Sequence, residues 1–214
     1  MQPLDSTVFV IDDDKDMRQS LKWLVESVGL PAEAYESAEE FLATYTQARA
    51  GCLLVDVRMS GMGGIRLLEH LQATGEHLPV IVLTGHGDVP MAVQAMKLGA
   101  FDFVEKPATH QYILGRIQDA LARDKELRAS NSGRVEFEQL VSQLSQRERE
   151  VMERVVAGEP NKTIGISLGI SERTVEKHRE NIKQKLGVRS VAALVAKVLS
   201  YRTPPTNSTT NVPQ

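Results

Sequence analysis

Short apolar runs punctuate the first half of the chain, each closing in polar residues: TVFVID (7–12), CLLVD (52–56), LPVIVLTG (78–85) and the shorter AFDFVEKP (100–107). Continuous apolar runs of this length, separated by helical patterns, predict strands buried on both faces of a parallel sheet. The segments between them have helical periodicity. DMRQSLKWLVESVG places Met17, Leu21, Leu24, Val25 and Val28 on one face and ends at Gly29, a C-cap. SAEEFLATYTQARA opens with Ser37 and Glu40 at the capping-box spacing. GIRLLEHLQATG and DVPMAVQAMKLGA are also amphipathic and close at Gly75 and Gly99. With a weaker strand at AEAYES (32–37), the order is strand then helix five times, the last helix being THQYILGRIQDALARDKELRA (109–129). This alternation predicts an open α/β sheet with helices on both faces.

The pattern then changes. SNSGRVEFEQLVSQ is polar and Gly/Ser-containing at first, then partly helical, and reads as a linker. From Leu144 the strand patterns vanish, and helical segments follow at roughly 146–157, 161–168, 172–186 and 190–201. Ser145 with Glu148 forms a capping box, and Gly158 stops that helix. NKTIGISLGIS predicts a short helix, a turn at Gly169 and a cap at Ser171 for a longer helix from Glu172 to Leu186. A short helix, a Gly-containing turn and a longer capped helix make a helix-turn-helix, whose second helix can enter the major groove. The expected boundaries are 1–124 for the α/β domain, 125–143 for a helical linker, 144–201 for the all-α domain and 202–214 for a disordered tail of Pro, Thr and Asn.

Composition adds direction. The 214 residues are 42% hydrophobic and 25% charged, as in ordinary globular proteins. No stretch approaches the ~18 apolar residues of a membrane span, and MQPLDSTVFV lacks the pattern of a secretory signal. The single Cys52 fits a reducing compartment, so a cytoplasmic location is expected. Its place in an apolar strand suits a small buried hydrophobe. The net charge of −3 conceals an asymmetry: residues from Gln146 onward carry a balance of +5 and the first 145 residues −8. The basic part is the nucleic-acid candidate.

In a doubly wound sheet, ligands sit at the carboxyl ends of the strands. Asp12 and Asp13, Asp56, Thr84 and Lys106 all close apolar runs at that edge. Taken singly, an Asp at a strand end is a turn former or helix cap, the role expected for Asp14 and Asp16. Taken as a set, three carboxylates, a hydroxyl and an ammonium converge. Three neighbouring carboxylates repel unless a cation lies among them, and a hard oxygen-liganded ion such as Mg²⁺ suits them. Such a pocket favours phosphate chemistry, with one carboxylate able to become an aspartyl phosphate.

Residues 7–123 resemble the receiver domain of two-component response regulators, through VIDDD, LLVDVRMSGMGG, VIVLTGHGD and MKLGAFDFVEKP in the family's order and spacing. The resemblance implies a flavodoxin-like (βα)5 fold in which Asp56 accepts phosphate from a sensor histidine kinase. It implies that Asp12 and Asp13 form the acidic Mg²⁺ pocket, with Asp13, Asp56 and the Arg58 backbone carbonyl as direct ligands. Thr84 and Lys106 would contact the phosphate, and Phe103 takes the switch-aromatic position, although a Phe in a strand is also ordinary core. One departure is Ser60, where the family commonly has Pro; without it the loop is freer and carries an added hydroxyl.

On the longer C-terminal helix, Val175, Ile182 and Leu186 make the inward face. Arg173, Thr174, Lys177, His178 and Lys185, with Arg179 as a further candidate, face outward or along the flanks and suit contacts to phosphate and base edges. On charge alone they equally describe a solvated face. LSQREREVMERVVAGEPNKTIGISLGISERTVEKHRENIKQKLGV is similar to the LuxR-type helix-turn-helix of the NarL/FixJ response regulators, and GHGDVPMAVQAMKLGAFDFVEKP to the FixJ-like subgroup. That similarity implies a small all-α DNA-binding domain on residues 144–200, with Asn161, Lys162 and Thr163 joining the contact set and the last helix dimerising. Gly165-Ile166 departs from the family's usual residues, and Gly costs a helix about 1 kcal/mol relative to Ala. Glu176 and Glu180 either accept from cytosine N4 or point away.

The function these features imply is a transcription factor activated by phosphorylation and acting as a homodimer on a two-fold site, with double-stranded DNA and RNA polymerase as further partners. Two rivals stand beside it. An Mg²⁺-dependent phosphatase of the haloacid dehalogenase type would need a second Asp where Arg58 stands, leaving slow self-hydrolysis as the most catalysis expected. A DNA-binding protein with a decayed receiver would not keep the acidic pocket.

Overall fold

The computed structural model describes residues 6–85 and 89–202, the latter without the Arg202 side chain. The tail expected to be disordered therefore lies outside the described residues apart from Arg202, as do His86, Gly87 and Asp88 of the GHGD motif. Two compact units divide the chain, Met1–Ala129 and Ser130–Gln214.

The first unit alternates β1 (Thr7–Ile11), α1 (Lys15–Glu26), β2 (Ala32–Tyr35), α2 (Ala38–Thr44), β3 (Gly51–Asp56), α3 (Gly64–Ala73), β4 (Val80–Thr84), α4 (Val89–Lys97), β5 (Asp102–Glu105) and the start of α5 (His110–Ser142). All pairings are parallel, in the order β2-β1-β3-β4-β5, with Ile11 beside Val55 and Asp56 beside Leu83. This is the flavodoxin-like order, which reverses direction between β1 and β3. Residues alternate between two cores along each strand. Phe9, Ile11, Leu53, Val55, Val80 and Val82 pack with α2, α3 and α4, while Val8, Val10, Leu54, Ile81 and Leu83 pack with α1 and α5. Double-sided burial explains the continuous apolar runs, each large side chain contributing roughly 1.5–3 kcal/mol.

Local caps follow the sequence. Asp14 starts α1 by accepting from the amides of Asp16 and Met17 at 2.8 and 3.0 Å. Ser37 caps α2 through the Glu40 amide, but Glu40 returns its bond to Glu36 N–H, one residue before the expected partner. Helix α2 is shorter than its sequence pattern: Tyr45 turns extended (φ −74°, ψ 140°) and stacks on Phe41 at 4.9 Å between centroids. Met17 and Val28, expected on the buried face of α1, are exposed, and Leu21 and Val25 carry that face.

The expected helical linker is helical from its polar start onward. Helix α5 runs unbroken for 33 residues through it. The segment contains no Pro, and its one mid-linker glycine, Gly133, is tolerated within the helix. Before the linker, Asp124, 2% exposed, accepts from the Gly51 amide at 2.9 Å and from Arg128 Nε at 2.8 Å. Arg128 also donates to the carbonyls of Gln47 and Arg49 at 2.8 and 2.5 Å. This clamp fastens α5 to the segment leading into β3.

The second unit contains the end of α5, α6 (Gln146–Val156), α7 (Asn161–Leu168), α8 (Glu172–Leu186) and α9 (Val191–Arg202). Phe137, Leu144, Val151, Met152, Val155, Ile164, Val175, Ile182, Leu186, Leu194 and Val198 form its core. The Ser145–Glu148 capping box is complete, and Gly169 and Gly187 end α7 and α8 in the left-handed conformation. Gly165 has a positive role that propensity hides: it is buried, and a Cβ there would lie 2.8 Å from the Ile170 carbonyl oxygen in the turn to α8. Among the described residues, no helix is long and apolar enough to cross a membrane.

Candidate functional site

The carboxyl edge of the sheet gathers the polar strand ends. Lys106 Nζ lies 3.0 Å from Asp12 Oδ2 and 2.7 Å from Asp56 Oδ1, bridging residues from three different parts of the chain. Asp12 and Asp56 are 3% and 9% exposed. Burial raises the Asp12 carboxyl above its ordinary range, and the Lys106 contact offsets this only in part. Burial alone would lower Lys106, but its bonds to Asp56 and Asp12 leave it raised and firmly cationic. Thr84 is buried one strand away, and its backbone carbonyl accepts from the Lys106 amide at 2.7 Å. Phe103, half-buried, packs against the α2–α3–α4 core, so it is at least partly a core residue.

The loop after β3 is fixed amide by amide. Val57 N–H donates to the Leu83 carbonyl at 2.8 Å, Arg58 N–H to Asp56 Oδ2 at 2.7 Å, Ser60 N–H to Asp13 Oδ2 at 2.9 Å and Met62 N–H to Glu39 Oε1 at 3.0 Å. Gly64 N–H closes it on the Val57 carbonyl at 3.1 Å. The glycines are required by close approach: a Cβ on Gly63 would meet Val57 O at 2.7 Å, and one on Gly64 would meet Asp56 O at 2.5 Å. The GMGG sequence thus lets the loop pack onto the backbone of Asp56 itself.

Asp13 is exposed, and its Oδ2 accepts from the Ser60 amide. Among the described residues, no group of three or more Asp, Glu, His or Cys is arranged to hold a metal. The donor chemistry is nevertheless that of a hard cation: all-oxygen, with two buried carboxylates sharing a single ammonium. Sequence reasoning missed Glu39, which pins the loop, and Arg18, whose Nη1 donates to the Asp12 carbonyl at 2.6 Å. Neither has a motif signal, because both act on the backbone from a neighbouring helix.

The second site is the α7–α8 helix-turn-helix. Ser171 caps α8 through the Thr174 amide at 3.1 Å, while Val175, Ile182 and Leu186 are fully buried, as their spacing predicts. Lys162, Thr163, Arg173 and Lys177 are exposed, and Thr174 is half-exposed with its hydroxyl 2.8 Å from that of Ser171. Asn161 Oδ1 accepts from Arg179 Nη1, tying α7 to α8. His178 is half-buried, its Nδ1 enclosed without a hydrogen-bond partner among the described residues. Glu180 pairs with Lys183 at 2.6 Å, whereas Glu176 is exposed.

Lys185, expected among the DNA contacts, is exposed, and its ammonium lies 2.7 Å from Glu148 Oε2 and 3.3 Å from the Gln143 carbonyl, an ion pair that ties α8 to α6. Burial alone would raise the Glu148 carboxyl, but Lys185 and the Ser145 amide bring it down to about 2.

Comparison with known proteins agrees with both halves. Residues 8–118 match the response regulator receiver domain, and residues 142–198 match the luxR family of bacterial regulatory proteins. The chain is 45% identical to the transcriptional regulatory protein FixJ of Azorhizobium caulinodans over 97% of its own length and 99% of the relative's. It is 42% identical to the transcriptional regulatory protein TdiR of Thauera aromatica, covering 89% and 84% of the two chains. Among solved structures it is similar to the response regulator StyR (TM-score 0.82, 43% identity, covering 92% of this chain and 100% of that one). It is also similar to full-length FixJ from B. japonicum (TM-score 0.56, 38% identity, covering 92% and 97%). The chain belongs to the transcriptional response regulators that join a receiver domain to a LuxR-type DNA-binding domain.

Proposed function

We propose that this regulator is switched by phosphorylation of Asp56 from a cognate sensor histidine kinase and then binds double-stranded DNA as a homodimer on a two-fold site. The observation that carries the reading is the Lys106 ammonium shared by Asp12 and Asp56 at the sheet's carboxyl edge. A carboxylate so held is rigid, and it has a cation beside it to receive a phosphoryl oxygen. Asp12, Asp13, Asp56 and the Arg58 carbonyl would hold Mg²⁺, which neutralises charge on the transferring phosphoryl group when bound. Thr84 would donate its hydroxyl to the phosphoryl group, and Phe103, one strand over, would repack with it. Catalysis is limited to slow hydrolysis of the aspartyl phosphate.

The receiver's output surface is read as α4, where Val89, Val93 and Met96 recur on one side and are 77%, 46% and 42% exposed. Apolar exposure at this spacing suits a partner of the same kind. Arg173, Thr174 and Lys177 on α8, with Lys162 and Thr163 on α7, would carry the DNA contacts, and Asn161 and His178 would support them. Helix α9 would pair the two DNA-binding domains, and RNA polymerase would be engaged from the bound dimer in the cytoplasm. Dimerisation doubles the contact set and supplies avidity that one small domain lacks.

The test is to incubate the chain with a small-molecule phosphodonor and Mg²⁺, comparing wild type with Asp56→Asn. Wild type should gain both dimer and DNA affinity, and Asp56→Asn neither. An equal response from both would refute the switch.

A further inference from the structure

The chain departs from the common receiver pattern at Ser60, and that residue touches the acidic pocket through its backbone. Ser60 N–H donates to Asp13 Oδ2 at 2.9 Å. Proline has no N–H, so a loop with the common Pro at this place lacks this bond. The partner matters because the three carboxylates are held differently: Asp12 and Asp56 are joined through Lys106, whereas Asp13 accepts from this amide, and no group of three metal-ligating side chains is assembled among the described residues.

We propose that the Ser60 amide competes with a divalent cation for Asp13, holding that carboxylate against the loop until the cation takes it. The inference rests on the reading of Asp12, Asp13 and Asp56 as a cation pocket. The bond is charge-assisted, but both partners are exposed, so water can replace the carboxylate at the amide and the competition is modest. Losing one such bond corresponds to roughly a 2–10-fold change in affinity. The serine hydroxyl has no part in it. The loop is otherwise anchored by Val57, Arg58, Met62 and Gly64, so the exchange at Asp13 leaves Asp56 in place.

The experiment is a calorimetric Mg²⁺ titration of the full chain as wild type, Ser60→Pro, Ser60→Ala and Asp13→Asn. It is paired with amide exchange of Ser60 followed by NMR with and without Mg²⁺. Ser60→Pro should bind Mg²⁺ about 2–10-fold more tightly, and Ser60→Ala, which keeps the N–H, should match wild type within about 2-fold. The Ser60 amide should exchange faster once Mg²⁺ saturates the protein. If exchange at Ser60 does not change on saturation, the proposal is overturned, whatever the variants do. Should Ser60→Pro fail to fold, the amide measurement alone decides. Wild type that binds while Asp13→Asn does not, with Ser60→Pro folded and no tighter than wild type, overturns this inference and leaves the pocket standing. Wild type that binds no Mg²⁺ overturns the pocket and this inference together.

Discussion

Replacing Lys185 by Met separates two roles that the sequence alone leaves merged. In the structure the ammonium neutralises Glu148, a carboxylate only 4% exposed that also completes the α6 capping box. The carboxyl is lowered from 4.5 to about 2, a gap whose full linkage value is roughly 3 kcal/mol. Ser145 shares in that gap, and the Lys185 side chain is 39% exposed, so solvent screening leaves about 1–2 kcal/mol for the pair. In a domain of this size that corresponds to a loss of about 5–15 °C in Tm. The pH dependence has a definite sign: a depressed carboxyl stabilises the fold above its unfolded pKa, and that stability is lost as pH falls through the folded value. The difference between wild type and Lys185→Met should therefore be full at pH 7 and should shrink between pH 4.5 and about 2. Calorimetric melting of the C-terminal transition measures it. Binding to a duplex of arbitrary sequence over a salt series supplies the control, because each lost phosphate contact lowers the log–log slope by about 0.9. Lys185→Met should leave that slope unchanged. An unmoved Tm with a slope reduced by about one would refute the assignment and return Lys185 to the DNA.

In the same salt series, Lys177→Ala and Arg173→Ala should each lower the slope by about 0.9 while the C-terminal melting transition stays within about 2 °C. Arg128→Ala strips the buried Asp124 of its cation, and urea unfolding should show the receiver about 2–4 kcal/mol less stable. Cys52 is fully buried and its thiol is pushed up to about 12 by burial; a disulfide-exchange reagent at pH 8 should label it only after unfolding, and rapid labelling of native protein would contradict the packing.

What was legible in the sequence was local. Asp14, Ser145, Ser171 and Gly169 act on amides or backbone angles within a few residues, so their spacing carried their roles. The strand runs declared both their burial and the edge at which Asp12, Asp56, Thr84 and Lys106 meet. What the sequence did not carry was long-range or depended on context. Lys185 reaches Glu148 across 37 residues, Ser60 reaches Asp13 across 47, and Arg128 reaches Gln47 across 81. No periodicity records such pairs. Gly165 shows the converse, where helix propensity predicts a weakness and the close turn to Ile170 supplies the reason for it. The linker was expected to be helical, and its Ser, Asn and Gly side chains are carried through by a helix anchored at both ends.

That helix has a thermodynamic consequence. The Arg128–Asp124 clamp secures one side, and Phe137, stacked on Tyr201 at 4.7 Å, secures the other. Between them residues 129–132 and 134–136 are exposed, and Ser130, Asn131, Ser132 and Gly133 are weak helix formers. A stretch this short has little helical stability of its own, so opening there is decoupled from unfolding of either flank. In isotope-labelling kinetics α5 should resolve into three tempos, slow before 128, fast across 130–136 and slow again from Phe137: one helix in geometry, and two separately cooperative pieces joined by a fraying middle.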